Sequence, residues 1–175
     1  MTLVALALVA GIAAGLLAGG RPRNLGRLTL RWSALLLLGA TSEVAGTYGL
    51  TGTWATVTAI FGYVLLLGFA ARNLRLTGMV LVLAGLLANF TITLLDGGMP
   101  VRGEPAGVAL GARHHGEQPS DRLVALGDVV PVGFLGETVS AGDIVLALGV
   151  AAAVAALLRS DGERTATARG HSAAL

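Results

Sequence analysis

Leu76-Thr-Gly-Met-Val-Leu-Val-Leu-Ala-Gly-Leu-Leu-Ala-Asn-Phe-Thr-Ile-Thr-Leu-Leu95 runs for twenty residues without a charge. At 1.5 Å per residue a helix of this length reaches about 30 Å, the thickness of the hydrocarbon core of a bilayer. Four more stretches share its character, so five spans read at 2–19, 33–50, 54–71, 76–95 and 140–158. They are joined by a basic segment (20–32), a Gly/Thr turn (51–53), an Arg/Asn turn (72–75) and one long loop (96–139). Turns as short as the second and third force antiparallel neighbours. The expected fold is all-α: an integral membrane bundle of five transmembrane helices, with a long extracytoplasmic loop between helices four and five. The tail, 159–175, lacks periodicity and is expected to be disordered and cytoplasmic.

Composition supports the same class. Of 175 residues, 54% are apolar and 13% charged, and mean hydropathy is +0.78. A soluble domain carries about 25% charged residues, so half the usual ionic surface is missing. Soluble enzyme, nucleic-acid module and disordered linker are all excluded on that ground. There is no cysteine, hence no disulfide, thiolate metal site or cysteine nucleophile. All 12 basic residues are arginine, a pattern that fits coding bias in a GC-rich genome. The isoelectric point near 9.9 is no nucleic-acid signal, because the arginines flank apolar spans.

Those arginines set the orientation. Arg21, Arg23, Arg27 and Arg31 lie between spans one and two, Arg72 and Arg75 between three and four, and Arg159, Arg164 and Arg169 after five. With five spans these nine share one side. Arg102, Arg113 and Arg122 are diluted in the long loop on the other. The positive-inside rule then places the chain in a bacterial plasma membrane with the N-terminus outside and the C-terminus in the cytoplasm. Span one ends in small residues, as a cleaved signal peptide does, but its arginines follow the apolar run instead of preceding it. Retention is expected. Gly11, Gly15 and Gly19 line one face of that span and admit a second backbone, either inside the bundle or across a homo-oligomer.

Ionisable groups in hydrocarbon cost about 2.5–3.5 kcal/mol or more on insertion scales, so each calls for a reason. Glu43 sits seven residues before the outer end of span two, about 10 Å deep at the helical rise. Asn89 lies six residues before the outer end of span four, and Asp143 just inside span five. Thr47, Tyr48, Thr56, Thr58, Thr91 and Thr93 occupy the same layer. The arrangement points to a hydrated pocket opening outward, with Glu43, Asn89, Asp143 and Asp96 as candidate binding residues. Blander accounts stand beside it. Glu43 fits a protonated interhelical clasp, Asn89 a helix-to-helix bond, and the threonines bonds to their own backbone. Ser140-Ala-Gly-Asp143 also reads as a capping box, serine at N-cap and an acid at N3, with the carboxylate at the positive end of the helix.

The long loop holds Pro100, Pro105, Pro119 and Pro131 and no helix by pattern. Loops of this length act as lids or linkers. Leu123 to Leu135 is too apolar for a solvated linker and is expected to lie on the membrane or cap the bundle. The loop's three arginines face Glu104, Glu117, Asp121, Asp128 and Glu137, a mild acidity that signals no partner. His114-His115, with Glu117 and Asp121 beyond, matches no metal-ligand spacing and reads as solvated histidines. No metal or cofactor is expected, since phosphate cradle, nucleophile elbow and membrane histidine are all missing from the sequence.

Three blocks carry a family resemblance. Asn89 to Val101, Leu126 to Pro131 and Val139 to Gly149 resemble the hallmarks of a bacterial membrane family, the domain of unknown function 5317. The resemblance spans about 1–158, with Asp96 where asparagine is expected before the paired glycines. It implies a small multi-pass protein without an assigned activity. Ser140-Ala-Gly-Asp143 and the apolar run behind it also resemble the last span of lipoprotein signal peptidase, a membrane aspartyl protease. The peptidase's other aspartate follows an asparagine by three residues, and here Ile92 stands at that place after Asn89. Three functions therefore compete. One is a structural or binding membrane protein. Another is an aspartyl hydrolase of a lipid-linked or peptide substrate, with Asp128 and Asp143 as candidate catalytic residues. The third is a transporter with Glu43 as its proton-coupling acid.

Overall fold

A computed structural model describes residues 2–27, 30–102, 114–116, 118–133 and 136–172, with backbone alone at 26, 27, 115 and 160–172. Five α-helices dominate: α1 (Thr2–Leu17), α2 (Ser33–Tyr48), α3 (Gly52–Arg72), α4 (Met79–Asp96) and α5 (Ala141–Ser172). Three of them are long and apolar enough to cross a membrane, namely Gly52–Arg72, Met79–Asp96 and the Ala141–Arg159 part of α5. The apolar Thr2–Leu17 is shorter. Like α2 it has 16 residues, about 24 Å at the helical rise.

The helices pack chiefly in the order α2, α3, α4, α5, α1. Small residues form the seams. A methyl group on Gly11 would stand 2.7 Å from the Ala151 carbonyl, and one on Gly15 2.7 Å from the Leu158 side chain. The stripe of span one is therefore committed to α5 within the chain, while Gly19, at φ +81°, turns into open space. Gly85 holds α4 against α5, where a Cβ would lie 2.6 Å from the Gly142 carbonyl and the Leu146 amide. Gly39 and Gly62 bring α2 and α3 together in the same way. Tyr63, Phe69, Ala70, Met79, Val82, Leu86 and Ala153 form the apolar core between α3, α4 and α5. Val9, Leu37, Phe61, Val80 and Leu148 turn outward, all more than half exposed. Apolar surface on this scale needs a covering, and lipid supplies one. These are helices compatible with a membrane protein.

Two features depart from the sequence expectation. The loop is not irregular: β1 (Met99–Val101) pairs in parallel with β2 (His114–Gly116), and β3 (Val130–Val132) pairs antiparallel with β4 (Glu137–Val139). A 3-10 turn at Val124–Leu126 lies between the two pairs in sequence. Nor does regular structure stop at 158, since the helical backbone of α5 continues to Ser172. Arg159, Arg164, Ala166, Ala168 and Arg169 favour helix there, but Gly162, Thr165, Thr167 and Gly170 do not, so local propensity alone does not account for the extension. Glu104, Pro105, Arg113, Glu117 and Leu135 lie outside the described residues.

Candidate functional site

The end of the bundle where α4 stops and α5 starts, here the loop end, gathers most of the predicted polar residues. Ser140 precedes the first turn of α5. Its Oγ accepts the Asp143 amide at 2.9 Å, and Asp143 Oδ2 accepts the Ser140 amide at 3.3 Å. This is the reciprocal capping box that the local sequence predicts. Asn89 on α4 completes it, donating from Nδ2 to Asp143 Oδ1 at 2.7 Å and accepting from Ser140 Oγ at 3.1 Å. Gly142 makes room for the amide, because any Cβ there would run into Asn89 Oδ1. Asn89 and Ser140 are 3% and 0% exposed. Both Asp143 oxygens thus accept bonds from this ring, which closes on itself around a partly buried carboxylate.

Asp96 lies seven residues further along α4, in its last turn. Its Oδ1 accepts the Arg122 amide at 3.1 Å and its Oδ2 the Leu123 amide at 3.3 Å. A carboxylate at a helix C-terminus is opposed by the helix dipole, and two backbone donors offset that penalty. Asp96 thereby latches the loop onto the bundle. Thr2 ties the loop to α1 in turn, donating to Glu137 Oε1 at 2.8 Å.

Asp128 belongs to the loop's own core. Its amide donates to the Pro100 carbonyl at 2.9 Å, and its carbonyl accepts the Arg102 amide at 3.0 Å. Asp128 Oδ2 stands 3.3 Å from His114 Nε2. Its other oxygen is buried without a hydrogen-bond partner among the described residues. His114 is therefore packed against an acid, not the solvated side chain expected from sequence. The parallel pairing of β1 and β2 puts it there. The described residues hold no cluster of three potential metal ligands. The side chain of His115 and all of Glu117 lie outside them.

Two expected groupings are not among these contacts. Asp128 meets His114, while Asp143 meets Asn89 and Ser140, so no described contact joins the two aspartates. Glu43 does not join the others either. It is buried in the α2–α3 seam, its Oε1 2.7 Å from where a Gly62 methyl would sit, with α3 and α4 between it and α5. Next in sequence to Gly62 and Asn89, Tyr63 and Phe90 close the α3–α4 seam edge to face at 6.2 Å. Equal depth along four helices did not mean one chamber, because the helices stand in a row. Thr47, Thr91 and Thr93 bond carbonyls four residues back, as helical threonines do.

Sequence reasoning missed two buried asparagines at the opposite, arginine-rich end. Asn24 Nδ2 donates to the Leu158 carbonyl at 2.7 Å. Asn73, capping α3, donates to the Arg31 and Phe69 carbonyls and accepts the Arg31 amide. An asparagine just past an apolar helix is a C-cap signal, though its distant partner is not visible in a sequence.

A model of a family of unknown function, DUF5317, matches residues 24–155, and the chain belongs to that family. The match takes in Glu43, Asn89, Asp96, Asp128, Ser140 and Asp143. No curated protein and no solved structure matches the chain.

Proposed function

We propose that the chain is a five-pass protein of the bacterial plasma membrane, N-terminus outside, with a structural and binding role instead of a catalytic one. In this reading α1 and α2 also cross, their short apolar lengths extended by the flanking turns and by local thinning of the bilayer. The loop end faces outward and the arginine end the cytoplasm. The Asn89–Ser140–Asp143 ring is a clasp holding α5 to α4, and the loop is a cap latched through Asp96. With Gly11 and Gly15 engaged by α5, self-association through that stripe forms no part of the proposal.

The observation that carries the reading is the engagement of both Asp143 oxygens by the clasp itself. A general acid or base needs a proton-exchanging oxygen within reach of substrate or water. Each oxygen of Asp143 instead accepts a bond that holds the fold, one from a buried asparagine and one from the amide of the helix cap. The test is substitution of Asp143 and Asp128 by alanine, scored for membrane abundance and for phenotype in cells. Falling abundance of Asp143→Ala, with phenotype falling in proportion, supports the clasp. Full abundance with a lost phenotype for either variant would revive the hydrolase. Reporter fusions in the 51–53 and 73–75 turns check the threading independently.

A further inference from the structure

The arginine end carries a corner that the clasp and cap do not use. Arg31 and Trp32 enter α2 beside the turn that follows α3, where Arg72 and Arg75 lie. Asn73 grips the Arg31 backbone on both sides, accepting its amide at 3.0 Å and donating to its carbonyl at 2.8 Å. That fixes the Arg31 backbone against Asn73, the residue that follows Arg72. The Arg72 guanidinium carbon stands 5.3 Å from the centre of the Trp32 ring. Trp32 has φ 57°, the one described non-glycine residue with positive φ. The left-handed region costs a side chain about 1–2 kcal/mol, and such strain persists where the surroundings hold it. Here it holds a large indole outward, 59% exposed, with Leu74 beside Arg75 at 43%.

Charge completes the description. Arg31, Arg72 and Arg75 are exposed, and no carboxylate pairs with any of them among the described residues. Guanidinium groups match phosphate oxygens in a two-pronged geometry. An indole favours the depth of lipid headgroups. A soluble anion would account for the arginines but not for an indole and a leucine turned outward beside them. We infer that this corner binds the headgroup phosphate of an anionic phospholipid, with Arg31 and Arg72 on the phosphate and Trp32 between headgroup and chain. The inference rests on the membrane reading above, and its test separates the two.

Trp32 itself is the probe. The chain has two tryptophans, and Trp54, at the start of α3, lies at the other end of the bundle. Trp54→Phe therefore leaves Trp32 as the sole indole. The full chain is reconstituted in phosphatidylcholine vesicles doped with brominated phosphatidylglycerol or, separately, brominated phosphatidylcholine. Bromine quenches indole fluorescence on contact. Quenching by the anionic lipid is expected at on the order of tenfold lower mole fraction, given the pull of two arginines at a membrane surface. The preference should shrink as salt is raised and vanish in Arg31→Gln/Arg72→Gln. Equal quenching by both lipids overturns the inference and leaves the membrane reading intact. So does a preference that survives the double substitution. Quenching by neither lipid overturns both. Should the glutamine variant not fold, the two-lipid comparison and its salt dependence on the parent protein decide the matter alone.

Discussion

At the scale of single residues, the Asn89–Ser140–Asp143 ring makes the sharpest prediction. A buried donor or acceptor stripped of its partner costs about 1–3 kcal/mol, and loss of a serine cap about 1 kcal/mol. Asn89→Ala and Asp143→Ala should each lower the detergent-solubilised melting temperature by several degrees. Their double variant should lose less than the sum, because they share bonds; additivity would mean the ring is not a unit. Asp96→Ala should leave the bundle melting nearly unchanged while amide exchange at Arg122 and Leu123 speeds up, seen by hydrogen-exchange mass spectrometry. The Ser140–Asp143 half of the ring was legible because a capping box is a local pattern. The Asn89 half was not, since the bond crosses more than fifty residues of chain.

At the scale of elements, the seams are set by missing side chains. Gly85→Val would drive a branched side chain into the Gly142 carbonyl and the Leu146 backbone. Backbone cannot yield as a flexible side chain does, so the cost should reach the upper range for overpacking, about 3 kcal/mol or more. The expected result is little or no protein in the membrane fraction. Gly19→Ala is the contrast: it meets no neighbour but has φ +81°, and the strain is worth about 1–2 kcal/mol. Near-normal accumulation is expected; equal loss for both would show that steric fit at the α4–α5 seam is not the cause. Five apolar helices follow from hydrophobic runs that need no tertiary information. The four strands do not. Each is three residues long, too short for alternation to register, and β1 finds its partner fifteen residues downstream.

At the scale of the whole molecule, depth along each span could be counted from sequence, but the lateral order of helices could not. Counted from sequence, Glu43, Asn89 and Asp143 share one outer layer, which implies a single pocket. The order α2, α3, α4, α5, α1 puts Glu43 in a different seam from Asn89 and Asp143. Glu43→Gln and Asp143→Asn should accordingly show independent, additive effects on melting, as distant sites do; strong coupling would show that the two seams communicate. Belonging to a family matched over residues 24–155 makes the clasp, the latch and the Asp128–His114 contact positions to compare among its members.

The helix order also bears on how the chain is made. Helix α1 emerges from the ribosome before the other four, yet its glycine face fits α5, the last of the five, and Arg21 and Asn24 both bond to the Leu158 carbonyl. Throughout synthesis of the intervening hundred-odd residues this face has no native mate. A nascent chain halted before 141 should be a target for membrane quality control, and supplying α5 as a separate polypeptide should rescue it.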